Sequence, residues 1–220
     1  MSTGRRGAFI VVEGLDRSGK STQAAALLAR LEHMNIPAKL IKFPDRTTPI
    51  GKMIDAYLRS EADIDDHAIH LLFSTNRWEL ASSILATLAS GTSIICDRYA
   101  FSGVAFSASK GLPFEWCRSP DVGLPAPDLT LFLDISPEKA KERGGYGEER
   151  YEKEEIQKRV RTIFSSIAQE TREKEKWKWV SIDAGRELEA VTEEIWHEVQ
   201  PFITEVGLDE VRKLWDWKEF

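Results

Sequence analysis

Residues Gly14 to Ser21 read GLDRSGKS, the pattern GxxxxGK[ST]. They stand between a short apolar run, AFIVVE at 8–13, and the Ala- and Leu-rich TQAAALLARLEHM. A strand that passes through a glycine turn directly into a helix admits few folds, and the chain reads as α/β with this loop at the end of a buried strand. Four further strand candidates are AKLIKF at 38–43, TSIICD at 92–97, LTLFLDI at 129–135 and WKWVSI at 177–182. Helix-length stretches rather than hairpin turns separate them, so the strands are expected to be parallel, with helical crossovers on both faces.

The 220 residues suit a single domain spanning 1–220, with no internal repeat or flexible linker. A composition of 42% hydrophobic and 30% charged residues excludes a mainly disordered chain. Thirty Lys and Arg against 36 Asp and Glu give a net charge of -6. That balance argues against nucleic-acid or membrane partners, which need a broad basic surface, but leaves room for a local anion pocket. Cys96 and Cys117 lack metal-ligand spacing, and no apolar run approaches the roughly 18 residues of a membrane span. The first apolar run ends at Glu13, too short for an export signal, so the expected location is cytoplasmic, with nuclear access open at this size.

Residues 66–88 carry apolar side chains at helical intervals and predict one long helix, in which the spacing of four puts Phe73 and Arg77 on the same face. Another helix is expected to start near Tyr99. In the tail, EAVTEEIWHEV and DEVRKLWDW both have helical patterns, with Trp196, Leu214, Trp215 and Trp217 as packing residues. The charged stretch from Ser136 to Thr171 contains RGGYGEERYEKEEIQKRV. It reads either as solvated helices or as a glycine-hinged cover, in which Arg143 and Arg150 flank the turn and approach a phosphate.

Chemistry concentrates at the glycine loop. Its backbone N–H groups and the following helix N-terminus favour phosphate, Lys20 reaches outer phosphates, and the Ser21 hydroxyl completes Mg2+ coordination, so ATP with Mg2+ is the expected cofactor. Arg17 is either a solvated loop charge or a cation placed on the transferring phosphoryl group. FPDRTT after the second strand and DRYAFSG after the third supply Arg46 and Arg98, which together suggest a second anion site. Asp97 is either a structural cap or the carboxylate that holds the water shell of Mg2+.

The set FIVVEGLDRSGKSTQ, KFPDRTTPIGKMI, DHAIHLLFSTNRWE, ICDRYAFSGVAFS, PDVGLPAPDLTLFLD and RGGYGEERYE resembles the thymidylate kinase family, particularly its eukaryotic branch, over residues 8 to 200. The resemblance implies a P-loop nucleoside monophosphate kinase fold: a five-stranded parallel sheet flanked by helices, with a helical LID at 141–157. It implies transfer from ATP to dTMP, giving dTDP and ADP, in a homodimer. The catalytic group would be Arg17, Lys20, Asp97 and Arg98. ATP would lie on Gly14, Leu15, Asp16, Arg17, Ser18, Gly19, Lys20, Ser21 and Thr22, with Arg143 and the loop Asp183, Ala184 and Gly185 on the adenine side. Ser21 and, through water, Asp97 would serve the metal.

For the acceptor, the resemblance puts Asp16 near the 3'-hydroxyl, and Arg46 and Arg98 on the dTMP phosphate with Phe43 beside it. Phe73 would stack on thymine and Arg77 would bond a base carbonyl. Ser102 and Phe106 would line the base and sugar pocket, and Tyr151 and Gln157 would complete it when closed. A kinase for another nucleoside monophosphate and a non-catalytic nucleotide switch are the competing readings. FPDR, DRY and the Phe73/Arg77 pair weigh against the first, and the two-site arginine pattern against the second.

Overall fold

The computed structural model describes residues 5–143, 150–151, 153–175, 177–205 and 210–216. Strand β1 (Phe9–Gly14) is buried along its whole length, as its run of Phe, Ile and Val requires. It lies at the centre of a fully parallel sheet with β2 (Ala38–Lys42), β3 (Ser93–Asp97), β4 (Leu129–Asp134) and β5 (Lys178–Asp183), in the order β2-β3-β1-β4-β5. All five expected strands are present, and their parallel pairing matches the expectation. The register places Val12 opposite Asp97 on one side and Gly14 opposite Leu133 on the other. The turn after β1 therefore opens beside the turn after β3, at the switch point where such sheets bind ligands.

The crossovers contain α1 (Lys20–His33), α2 (Pro49–Leu58), α3 (Asp66–Ala89), α4 (Ala100–Ala108), α5 (Phe114–Arg118), α6 (Pro137–Glu142) and α7 (Glu154–Lys174), and α8 (Leu188–Glu205) follows the last strand. Several starts are closed by their own side chains. Thr48 Oγ1 accepts from the Gly51 N–H at 2.9 Å before α2, and Asp65 accepts from His67 N–H at 2.9 Å before α3. Helix α1 has no such cap, and Gly19 precedes it in a left-handed conformation at φ 90°. Its first-turn N–H groups are left for a ligand.

Phe9, Ile10, Ile94, Ile95, Leu129 and Leu131 form the middle of the core and are fully excluded from water, each contributing roughly 1.5–3 kcal/mol by burial. At one flank Phe101 meets Trp179 and Trp215 edge to face, with centroids 5.1 and 5.7 Å apart. Among the described residues, no helix is long and apolar enough to cross a membrane.

One expected helix is absent. Residues 210–216 run as a strap: Lys213 pairs antiparallel with Pro125, Leu214 N–H donates to Leu124 O at 2.7 Å, and Gly123 N–H donates to Leu214 O at 2.8 Å. Backbone pairing with 123–126 and burial of Leu214 and Trp215 outweigh the helical spacing of DEVRKLWDW, while Trp217 lies outside the described residues.

Candidate active site

The phosphate loop turns at Gly14, φ 152°, where an added Cβ would fall 2.5 Å from Leu133 O, and at Gly19. Arg17 between them also takes a left-handed conformation, φ 62°. Lys20 is buried, and its Nζ donates to Leu15 O at 2.5 Å. Burial, and then the neighbouring Arg98 charge, pull its ammonium down to about 7, against the opposite pull of Asp16, Asp97 and Glu13.

Asp97 ends β3 and accepts from Ser21 Oγ through Oδ2 at 2.5 Å, while Lys42 Nζ lies 3.3 Å from Ser21 Oγ and 3.5 Å from Asp97 Oδ2. Asp97 Oδ1 is buried and has no hydrogen-bond partner. A carboxylate with one orphaned oxygen beside a phosphate-loop hydroxyl fits a hydrated divalent cation.

The next residue, Arg98, has φ 70° and turns its guanidinium back across the cleft. Nη2 pairs with Asp16, and Nη1 donates to Gly14 O at 3.2 Å and to Ser102 Oγ at 3.1 Å. Gln157 grips Asp16 from α7: its Nε2 donates to Oδ2 at 2.7 Å and its Oε1 accepts from the Asp16 N–H at 3.1 Å. Burial pushes the Asp16 carboxyl upward, but Arg98, Lys20 and Gln157 together outweigh it and hold the group below its ordinary range.

Beneath this lies Glu13, buried with no exposed surface. Its Oε1 accepts from Tyr99 N–H at 2.9 Å and Ser102 N–H at 3.0 Å, and its Oε2 accepts from Ser102 Oγ at 2.5 Å. The carboxylate satisfies the start of α4, which has no side-chain cap of its own, and holds the hydroxyl that supports Arg98. Burial pushes its carboxyl above the ordinary range despite these bonds and the Arg98 charge. Sequence reasoning took Glu13 only as the end of an apolar run. The available signal was a charge in a strand otherwise built of Phe, Ile and Val.

The cleft encloses about 440 Å³ and is lined by Asp16, Arg17, Lys20, Ser21, Phe43, Arg46, Phe73, Arg77, Asp97, Arg98, Ser102, Phe106 and Tyr151, with Leu58, Gly103 and Ser107 also in its wall. Phe73 and Arg77 share one face of α3, as their spacing predicts. Arg77 is buried, and its Nε and Nη2 donate to Asp121 at 3.0 and 2.6 Å. Asp121 comes from the PDVG segment and is a second buried anion that sequence reasoning missed. Arg46 is steadied by Asp55 of α2 at 2.7 Å. Phe106 lies 5.1 Å from the Tyr151 ring and 5.5 Å from the Arg98 guanidinium carbon.

Arg143, Asp183, Ala184 and Gly185 gather outside this cleft, beyond the phosphate loop. Arg143 donates to Arg17 O at 3.1 Å and to Ala184 O at 2.5 Å, joining the loop after α6 to the turn after β5. Asp183 folds back on Gly185 N–H at 2.8 Å. Arg150 does not approach a phosphate site. Its guanidinium covers the Tyr57 ring at 4.2 Å and pairs with Asp63 at 2.6 Å, because Tyr57 near the end of α2 offers an aromatic face and Asp63, in the segment after it, a carboxylate. The glycine hinge at 144–147 lies outside the described residues.

A family model described as thymidylate kinase matches residues 12–195. The chain belongs to the thymidylate kinase family. It is 50% identical over 213 residues to a thymidylate kinase of Arabidopsis thaliana, covering 97% of this chain and 75% of that one. With the thymidylate kinase of Schizosaccharomyces pombe it shares 53% identity over 195 residues, covering 89% and 92%. The solved structure of thymidylate kinase from Candida albicans superposes with a TM-score of 0.87 at 40% identity, over 96% of this chain and all of that one. The family fold, the five-stranded parallel sheet flanked by helices, is the one described above.

Proposed function

We infer that this protein transfers the γ-phosphoryl group of ATP to the phosphate of dTMP, releasing dTDP and ADP. The observation that carries the reading is the meeting, in one cleft, of the Lys20 phosphate loop with a separate arginine site built from Arg46 and Arg98. A nucleotide switch needs only the loop, whereas two anion sites facing each other bring donor and acceptor together.

Lys20 and the uncapped start of α1 hold the donor phosphates. Arg46 and Arg98 hold the acceptor phosphate, which is already anionic and requires no general base. Asp16, kept ionised by Arg98 and Gln157, accepts from the sugar hydroxyl, and Phe73 and Arg77 position the base. Arg17 supplies positive charge to the phosphoryl group in flight, where fixed charge is worth most. Ser21 and Asp97 would hold Mg2+, which when bound neutralises charge across the donor phosphates. Tyr151 and Gln157 close the pocket and exclude water.

The same reading includes a pair of subunits. Leu71, Thr75, Trp78, Ser82, Leu85 and Ala89 are exposed on α3 at alternating spacings of four and three, so large apolar side chains alternate with small ones along a single seam. A second copy presenting the same seam would bury it, and sedimentation of wild type against Trp78→Lys tests this. The activity is tested by coupled ADP release with dTMP, dUMP, TMP, AMP, CMP and GMP. A preferred acceptor other than dTMP overturns the assignment.

A further inference from the structure

His70 lies on α3, two turns before Arg77, with no exposed surface. Its Nε2 is 2.8 Å from the carbonyl oxygen of Cys117, an atom that only accepts, so Nε2 carries the ring proton. Nδ1 is then a bare lone pair, and it lies 2.7 Å from Ser107 Oγ. Ser107 must therefore donate its only hydroxyl proton to His70. Trp116 lies against the imidazole at a tilt of 45°, with ring centroids 5.1 Å apart. Burial, and then the Arg77 charge, hold the imidazole below its ordinary range, against Asp121 and the Cys117 bond.

Ser107 lines the cleft, so what it shows to a ligand is an oxygen that can only accept. One helical turn away on α4, Gly103 lies against the Arg77 guanidinium, an added Cβ there falling 2.7 Å from Nη2. Arg77, locked on Asp121, only donates. The wall of the base pocket thus pairs a fixed donor with a fixed acceptor on neighbouring turns.

We propose that the His70–Ser107 pair is a specificity device: His70 sets the polarity of Ser107, so that Arg77 and Ser107 together accept a pyrimidine with a carbonyl beside an N–H and reject one with an amino group beside a ring lone pair. The inference rests on the assignment of this cleft to the acceptor base. Thymine and uracil present C4=O and N3–H, matching both groups. Cytosine presents an amino donor to Arg77 and a lone pair to the Ser107 oxygen, a mismatch at both, and leaving buried polar groups unpaired is what makes such discrimination steep. His70 is a positioning residue, because it acts only through Ser107.

The test compares kcat/KM for dTMP and 5-methyl-dCMP, which share sugar, phosphate and methyl group and differ only at this edge. His70→Gln keeps an N–H for Cys117 O and a carbonyl for Ser107, so its preference for dTMP stays within about twofold of wild type. His70→Leu lets the Ser107 hydroxyl rotate and donate, and the preference falls at least about tenfold, carried by KM. Ser107→Ala, on the cleft wall, lowers the preference in the same direction and serves if His70→Leu does not fold. An unchanged preference in Ser107→Ala, or an equal loss in His70→Gln and His70→Leu, overturns the proposal. Wild-type protein that ignores dTMP altogether removes instead the assignment beneath it.

Discussion

The guanidinium of Arg77 and the carboxylate of Asp121 form a two-bond pair, 3.0 and 2.6 Å, with both side chains almost fully withdrawn from water. Ser74 Oγ adds a third bond to the same carboxylate at 2.7 Å. Removing the anion strands the cation. Asp121→Ala is expected to cost about 3–5 kcal/mol of stability in urea unfolding, as for other broken buried pairs. A loss under about 1 kcal/mol would show that Arg77 finds solvent or another partner.

Lys20 makes nucleotide binding a protonation event. Its folded-state value of about 7 lies below the ordinary 10.5, so between those limits the unfolded chain holds the extra proton and folding stability rises with pH. Bound phosphates set negative charge beside the ammonium that outweighs burial and the Arg98 charge, restoring the proton. ATP binding at pH 8 is expected to take up close to about one proton, read by calorimetry in buffers of different ionisation enthalpy, and to take up almost none at pH 6. Lys20→Met should abolish the uptake. Equal uptake in that variant assigns the proton elsewhere.

Arg17 sits at the turn of the phosphate loop with its backbone already committed to a left-handed conformation. Arg17→Ala should lower kcat by on the order of 10³-fold while leaving ATP affinity within about threefold, since its charge matters most in the transition state. Rapid-quench and equilibrium-binding measurements separate the two. A proportional loss of affinity and rate would make it a ground-state phosphate contact.

The orphaned oxygen of Asp97 should reveal itself through the metal. Asp97→Asn keeps the shape and removes the charge, and the Mg2+ concentration for half-maximal rate should rise about tenfold or more. An unshifted metal dependence would return Asp97 to a role as partner of Ser21 alone.

Much of this was legible from the chain, and what was not has a common cause. GLDRSGKS, its flanking runs and the Phe73/Arg77 spacing carry their meaning locally, so strands, crossovers and the phosphate loop could be placed from neighbours in sequence, whereas Phe43, Ser102, Phe106, Tyr151 and Gln157 were placed only by the family resemblance. Glu13, by contrast, takes its meaning from Tyr99 and Ser102, and Arg77 from Asp121, partners that only the assembled sheet brings close. Arg150 was misplaced because its glycine-rich surroundings point toward phosphate, whereas Tyr57 and Asp63 hold it. Over 210–216 the helical pattern of DEVRKLWDW lost to backbone pairing with the 123–126 segment, a tertiary term that no local periodicity contains.

The strap at 210–216 has a bearing on the order in which the protein is made. By binding Gly123, Leu124 and Ala126 it clamps the segment just beyond Asp121, and so the anchor of Arg77, the arginine assigned above to the acceptor base. A chain growing from its N-terminus has made Asp97, Arg98, Arg143 and Gln157, which hold its phosphate loop, well before the strap, but the base pocket waits for residues synthesised some ninety positions after the segment they secure. The nascent protein is thus expected to hold the donor nucleotide before it can select the acceptor.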